Sequence, residues 1–199
     1  MKARRARVAI RPGFVALAIA PQLAHAHLIS TGRGPVYDGI THFALTPEFV
    51  LPALTTAVLA GLRGKVHARR AVIALPLAWL LAGIAGNAVA GAVPDALAWL
   101  ALLLLGGLVA LDLCLSPVAT IAIAALLGVA LGYANGAALA HAGAGLRGVL
   151  GSTAAIFVVV TLGAAVVTAW QAGWLRIAWR VSGSWVAAGG LLLLGWLLR

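Results

Sequence analysis

The chain has 199 residues, 63% of them hydrophobic and only 9% charged, with a mean hydropathy of +1.08. Soluble domains carry about 25% charged and about 45–50% apolar residues, so a water-soluble globule is excluded, as is a disordered chain, which needs low hydrophobicity. Fourteen Lys and Arg against four Asp and Glu give a formal net charge of +10; because the basic residues lie mostly between apolar runs, they point to membrane topology rather than to nucleic acid.

The first predicted element is an export signal. Lys2, Arg4, Arg5, Arg7 and Arg11 form a basic head, Pro12 to Leu23 an apolar middle, and Ala24-His25-Ala26 a small-residue cleavage site. That is the order of a secretory signal, whose apolar middle runs about 7–15 residues. The alternative is an uncleaved first transmembrane helix, for which the apolar stretch falls short of the roughly 20 residues a span needs. The chain thus divides into a signal peptide, 1–26, and a transmembrane helical domain, 27–199. Cleavage after Ala26 would leave His27 at the new N-terminus, with an amine and an imidazole on one residue that together can chelate a divalent ion. The amine's pKa of about 7.7–8 leaves a useful fraction deprotonated near neutrality. The competing reading is that His25 and His27 merely occupy the cleavage region.

Six apolar spans follow, at about Gly39–Leu62, Ala71–Ala90, Ala96–Leu115, Pro117–Ala140, Gly148–Gln171 and Arg176–Leu198. Each approaches the length needed to cross a bilayer. Period-2 alternation is weak, which argues against a β-barrel, and lipid leaves helices as the other way to satisfy backbone polar groups. The expected fold class is therefore all-α, a polytopic membrane helical bundle of about six transmembrane helices. Arg63, Lys65, Arg69 and Arg70 occupy the connection after the first span, and Arg176 and Arg180 the one before the last. Arg33, Arg147 and Arg199 fall on the other side. By the positive-inside rule this predicts a mature N-terminus outside, and the signal pattern implies a bacterial inner-membrane protein.

The first span holds the densest polar stretch, Tyr37-Asp38-Gly39-Ile40-Thr41-His42-Phe43-Ala44-Leu45-Thr46-Pro47-Glu48. Ionisable residues at membrane depth are costly and are functional candidates by default. On one continuous helix His42 and Glu48 would sit about 240° apart. Pro47 favours a kink or break, and a broken helix could turn both towards one cavity, as discontinuous helices do in transporters. The alternative is that Pro47 simply starts the helix, with His42 in an external loop and Glu48 offsetting the helix dipole.

Further along, Ser116-Pro117 reads as a tight turn between the third and fourth spans. Asp112 reads as capping that connection, and Cys114 as packing. A single cysteine excludes an intramolecular disulfide. Glycines at Gly83 and Gly86, Gly128 and Gly132, and Gly163 predict close helix packing. Asn87, Asn135 and His141 lie towards the outer ends of their spans. A buried Asn needs partners, so Asn135 either bonds to another helix or weakly ligates an ion.

This plan resembles the HupE/UreJ family of bacterial membrane proteins, regarded as nickel or nickel/cobalt permeases, which have a cleavable signal, often a histidine at the mature N-terminus, and about six helices. The family's first helix carries a pattern like G-x-x-H-x-x-x-G-x-D-H. Gly39-Ile40-Thr41-His42 matches its opening, Glu48 stands where the family has Asp, Thr46 where it has Gly, and Phe49 where it has the second His. The fourth-helix pattern, G-x-x-H-G-x-A-like, resembles Gly132-Tyr133-Ala134-Asn135-Gly136-Ala137-Ala138, with Asn135 in place of His. The resemblance implies a permease for a divalent transition metal ion, with His27, Asp38, His42, Glu48 and Asn135 as metal residues. This mixed N/O set is compatible with nickel, cobalt or zinc, and Zn2+ ranks below Ni2+ and Co2+. The ion is cargo; no permanently bound cofactor and no enzymatic activity is expected. The partners are the lipid bilayer and the ion, with a homo-oligomer or a membrane partner left open and no nucleic acid. Loss of the two family histidines at Phe49 and Asn135 supports an alternative, a non-transporting membrane accessory or assembly subunit.

Overall fold

The computed structural model describes residues 32–170 and 172–197. The predicted signal peptide and His27 lie outside the described residues. Those residues form α1 (Pro35–Leu45), α2 (Pro47–Leu62), α3 (Lys65–Val89), α4 (Ala96–Ala110), α5 (Pro117–His141), α6 (Gly145–Ala169) and α7 (Gly173–Trp196). No strand occurs among them, and the all-α bundle expected from the hydropathy is the observed architecture.

Helices α3, α5, α6 and α7 are long and apolar enough to cross a membrane, and α1 with α2 forms a fifth candidate span bent by 72°. Helix α4 is apolar but has 15 residues, about 22 Å at 1.5 Å per residue, shorter than a hydrocarbon core of about 30 Å. The sequence predicted a span as far as Leu115. The helix instead stops at Ala110 because Asp112 turns left-handed, with φ of 54°, and its carboxylate is drawn to Arg63 and Arg176.

The basic connection is also shorter than its charge suggested. Gly64, with φ of 95°, reverses the chain in place of a long loop, and Lys65, Arg69 and Arg70 wind into the start of α3. Lys and Arg are good helix formers, and their long stems can lie along apolar surface while the charge stays in water. Cys114 is exposed rather than packed, and Arg63 Nη1 lies 3.8 Å from its sulfur.

The connection between α4 and α5 runs from Leu111 to Ser116, more than the tight turn expected at Ser116-Pro117. Ser116 is the N-cap of α5, its hydroxyl accepting from the Ala119 N–H at 3.1 Å, with Pro117 at the first helical position. Ser116→Ala is expected to lower stability by about 1 kcal/mol, read as the shift in thermal unfolding of detergent-solubilised protein.

In the bundle α3 packs mainly on α5, α4 on α7, and α1 and α2 on α6. Glycine makes the closest contacts. Gly128, Gly132 and Gly136 on α5 face Leu75, Trp79 and Gly83 on α3. In lipid no hydrophobic force drives helices together, so close backbone approach supplies the dispersion contacts. Trp79, Phe43, Leu59 and Leu131 are fully buried in the core, whereas large apolar side chains such as Ile73, Leu126, Leu162 and Trp185 face outwards, as lipid contact requires.

Candidate functional site

The site begins at the break between α1 and α2. Thr46 is extended, with φ of −101° and ψ of 101°. Its hydroxyl donates to the His42 carbonyl at 2.6 Å, and Pro47 opens α2. Pro47 thus starts a helix, yet His42 belongs to a helix of its own rather than to an external loop. Because the two pieces meet at 72°, the angular separation of a continuous helix no longer applies, and His42 and Glu48 line one cavity of about 450 Å³. Pro52 lies inside α2 and has no N–H to offer the Glu48 carbonyl one turn back.

The cavity closes around residues from three other segments, one of them α4, which contributes Leu97 and Ala98. Gly91 to Pro94 and Asp95 come from the connection between α3 and α4, Ala134 and His141 from α5. Glu48 Oε1 accepts from Trp99 Nε1 at 3.5 Å. His141 Nε2 lies 3.2 Å from the Ala90 carbonyl, at the left-handed C-cap of α3, and so ties the end of α5 to the end of α3. His42 Nε2 is buried with no hydrogen-bond partner among the described residues, and its ring meets Phe49 edge-on at 5.6 Å. An unpartnered buried ring nitrogen is an open donor position.

Behind the cavity stands a second layer. Trp79 receives Phe43 and Phe49 edge-on, with ring centroids 5.8 Å and 5.5 Å away, and its indole N–H points at Ser152 Oγ at 3.5 Å. Asn135 Nδ2 donates to the same oxygen at 2.8 Å, and the Ser152 hydroxyl donates to the Val149 carbonyl at 3.0 Å. Asn135 therefore bonds across helices, from α5 to α6, while its Oδ1 is left without a partner.

Of the residues singled out from sequence, His42 and Glu48 come together at the cavity. Asn135 and Asp38 are buried and are not among its lining residues; Asp38 sits on α1, which packs on α6. His27 is outside the described residues. Asp95 and His141 were not assigned to the site, though they share the cavity. Their signal was a common position near one end of the spans; which spans are neighbours was not legible. Among the described residues no three His, Cys, Asp or Glu side chains converge as a preformed metal group. The donors at hand are one imidazole nitrogen, carboxylates and a second, hydrogen-bonded imidazole, a mixed set suited to borderline divalent ions.

The HupE / UreJ protein family model matches residues 15–193, most of the chain. No curated protein and no solved structure matches.

Proposed function

Since the chain belongs to the HupE/UreJ family, a family linked to nickel or cobalt transport or to an accessory function, we propose that it is a membrane permease for a divalent transition metal ion, nickel or cobalt first. The observation that carries this reading is the break at Thr46-Pro47, which turns His42 and Glu48 into one cavity with His42 Nε2 unpartnered. The ion is captured outside by the amine and imidazole of His27 and by Asp38. It then passes to His42 and Glu48, with Asp95 and His141 across the cavity, and Asn135 lies deeper. The sequence has no G-x-x-x-x-G-K-[ST] phosphate loop. Membrane potential alone favours inward movement by about 2.3 kcal/mol per charge per 100 mV, and by about twice that for a divalent ion.

The test is nickel and cobalt uptake in cells expressing the full chain or its variants. His42→Ala and Glu48→Gln are each expected to cut uptake about tenfold, the equivalent of about 1.4 kcal/mol. Normal uptake by both variants would remove this cavity from the transport route.

A second reading, an accessory or assembly subunit without transport of its own, is favoured by one specific observation. Phe49 and Asn135, which stand where the family has histidines, are committed to the Trp79 aromatic cluster and to Ser152. That reading predicts stable co-purification with another membrane protein and no metal-dependent phenotype.

A further inference from the structure

The basic end of the bundle holds two kinds of cation. Arg63 and Arg176 are engaged by Asp112, and Arg180 Nε donates to the Ala110 carbonyl at 3.0 Å. Lys65, Arg69 and Arg70 are exposed, and none forms an ion pair among the described residues. Lys65 and Arg69 are four residues apart at the start of α3, hence on one face. Both line an open groove of about 460 Å³ between α3 and α6; Arg70 does not.

Beyond these two cations the groove is mostly apolar, its other polar groups being the hydroxyls of Thr161, whose Oγ1 is buried without a partner among the described residues, and Thr168. Val72 and Ile73 form one wall, and Phe157, Ala164 and Ala165 the other, with no acidic side chain in the lining. Thr168 Oγ1 turns back to the Ala164 carbonyl at 2.6 Å. The groove therefore has a doubly cationic mouth and an apolar trough running into the depth of the spans. Any outer face of the bundle meets lipid chains, but a trough that begins at two free cations matches an amphiphile with an anionic head.

We propose that the groove between α3 and α6 binds one anionic glycerophospholipid, its phosphate held by Lys65 and Arg69 and an acyl chain lying along Ile73 and Phe157. Basic pockets between membrane helices suit such headgroups, and each Lys or Arg near an anionic surface contributes about fivefold. Two cations give a preference of about 25-fold over a zwitterionic lipid.

The experiment uses the purified full chain reconstituted into vesicles of phosphatidylcholine with a minor share of phosphatidylglycerol. The lipid retained per protein on gentle extraction is counted by native mass spectrometry. Wild type is expected to retain one phosphatidylglycerol, enriched about 25-fold over its share of the vesicle. K65Q/R69Q should lose the enrichment, and the charge-preserving K65R/R69K should keep it. Ala165→Trp fills the trough and leaves both cations, and should lose it too. Equal retention of both lipids by wild type, or unchanged enrichment in K65Q/R69Q, would overturn the proposal. So would an R70Q variant as impaired as K65Q/R69Q, which would mean diffuse surface charge. Displacement of the lipid by excess inorganic phosphate, with Ala165→Trp still retaining phosphatidylglycerol, would mean a bare phosphate site and would equally overturn it.

Discussion

Gly136→Leu is expected to separate α3 from α5 and to leave little folded protein. A Cβ at Gly136 would lie 2.1 Å from the Gly83 carbonyl oxygen, and one at Gly86 would lie 2.1 Å from that of Tyr133. The obstacle in both cases is backbone, which cannot rotate aside as a side chain can. Overpacking that side chains can absorb costs about 1–3 kcal/mol, and here the cost falls at or above the top of that range. The separation would also remove the bond from Asn87 Nδ2 to the Gly136 carbonyl at 3.3 Å. Against a total stability of about 5–15 kcal/mol, a loss of this size reduces the yield of monodisperse protein and its resistance to thermal unfolding in mild detergent. Gly189→Leu is the control, since a Cβ there meets nothing within 4 Å, and its effect should stay within about 0.5 kcal/mol. If the two leucine variants proved equally stable, the glycine contact between α3 and α5 would not hold the bundle together.

Asp112→Asn is expected to destabilise the basic end of the bundle by about 3 kcal/mol. Asp112 joins three elements: its carboxylate accepts from Arg63, at the end of α2, and from Arg176 Nε at 2.7 Å, on α7. The two arginines respond differently to its loss. The Arg176 side chain is 48% exposed and rehydrates, whereas that of Arg63 is 7% exposed and stays behind as an uncompensated cation. Removing one partner of a buried pair costs about 3–5 kcal/mol, and the partial exposure of this cluster places it at the low end. Asn tolerates the left-handed backbone as Asp does, so the substitution tests charge. Asp112→Ala adds the strain of a φ of 54°.

The same cluster sets an acid limit. Burial alone would raise the Asp112 pKa, but the hydrogen bond from Arg176 and the charges of Arg63 and Arg176 outweigh it and hold the carboxyl below its ordinary value. The unfolded value is about 3.9. A lowered folded pKa stabilises above that value and is lost as pH falls through the folded one. Melting curves of wild type should therefore steepen their decline below about pH 4, while Asp112→Asn should lack that component. Parallel acid profiles would dissociate Asp112 from the pH dependence.

Length and periodicity sufficed for the helices that cross on apolar residues alone. The Pro117–Ala140 and Gly148–Gln171 spans match α5 and α6 to within a few residues, because a run of more than 20 apolar residues has one economical conformation in lipid. The boundaries that moved are those set by charge. Helix α3 absorbed a stretch read as a loop, and α4 lost its last turn to an ion-pair cluster whose members are 49 and 64 residues apart in sequence. Charge marks where a chain meets water, but an arginine that finds a carboxylate from a distant connection stops reporting on the interface.

The candidate site was legible in a similar proportion. The scarcity of ionisable groups singled out His42 and Glu48, and Pro47 suggested the break between them, since a missing N–H is a local property. The 72° angle was not legible, nor was the neighbourhood of Asp95 and His141. By itself the sequence determined a membrane-embedded helical bundle, its approximate spans, and the few polar residues too costly to be incidental. Tertiary structure alone decided which of them share a cavity, that Asn135 is bound to Ser152, and that Lys65 and Arg69 open onto a groove. Hydropathy and proline chemistry act along the chain, whereas lateral neighbours depend on which glycines let two backbones touch, and that is a property of pairs of helices.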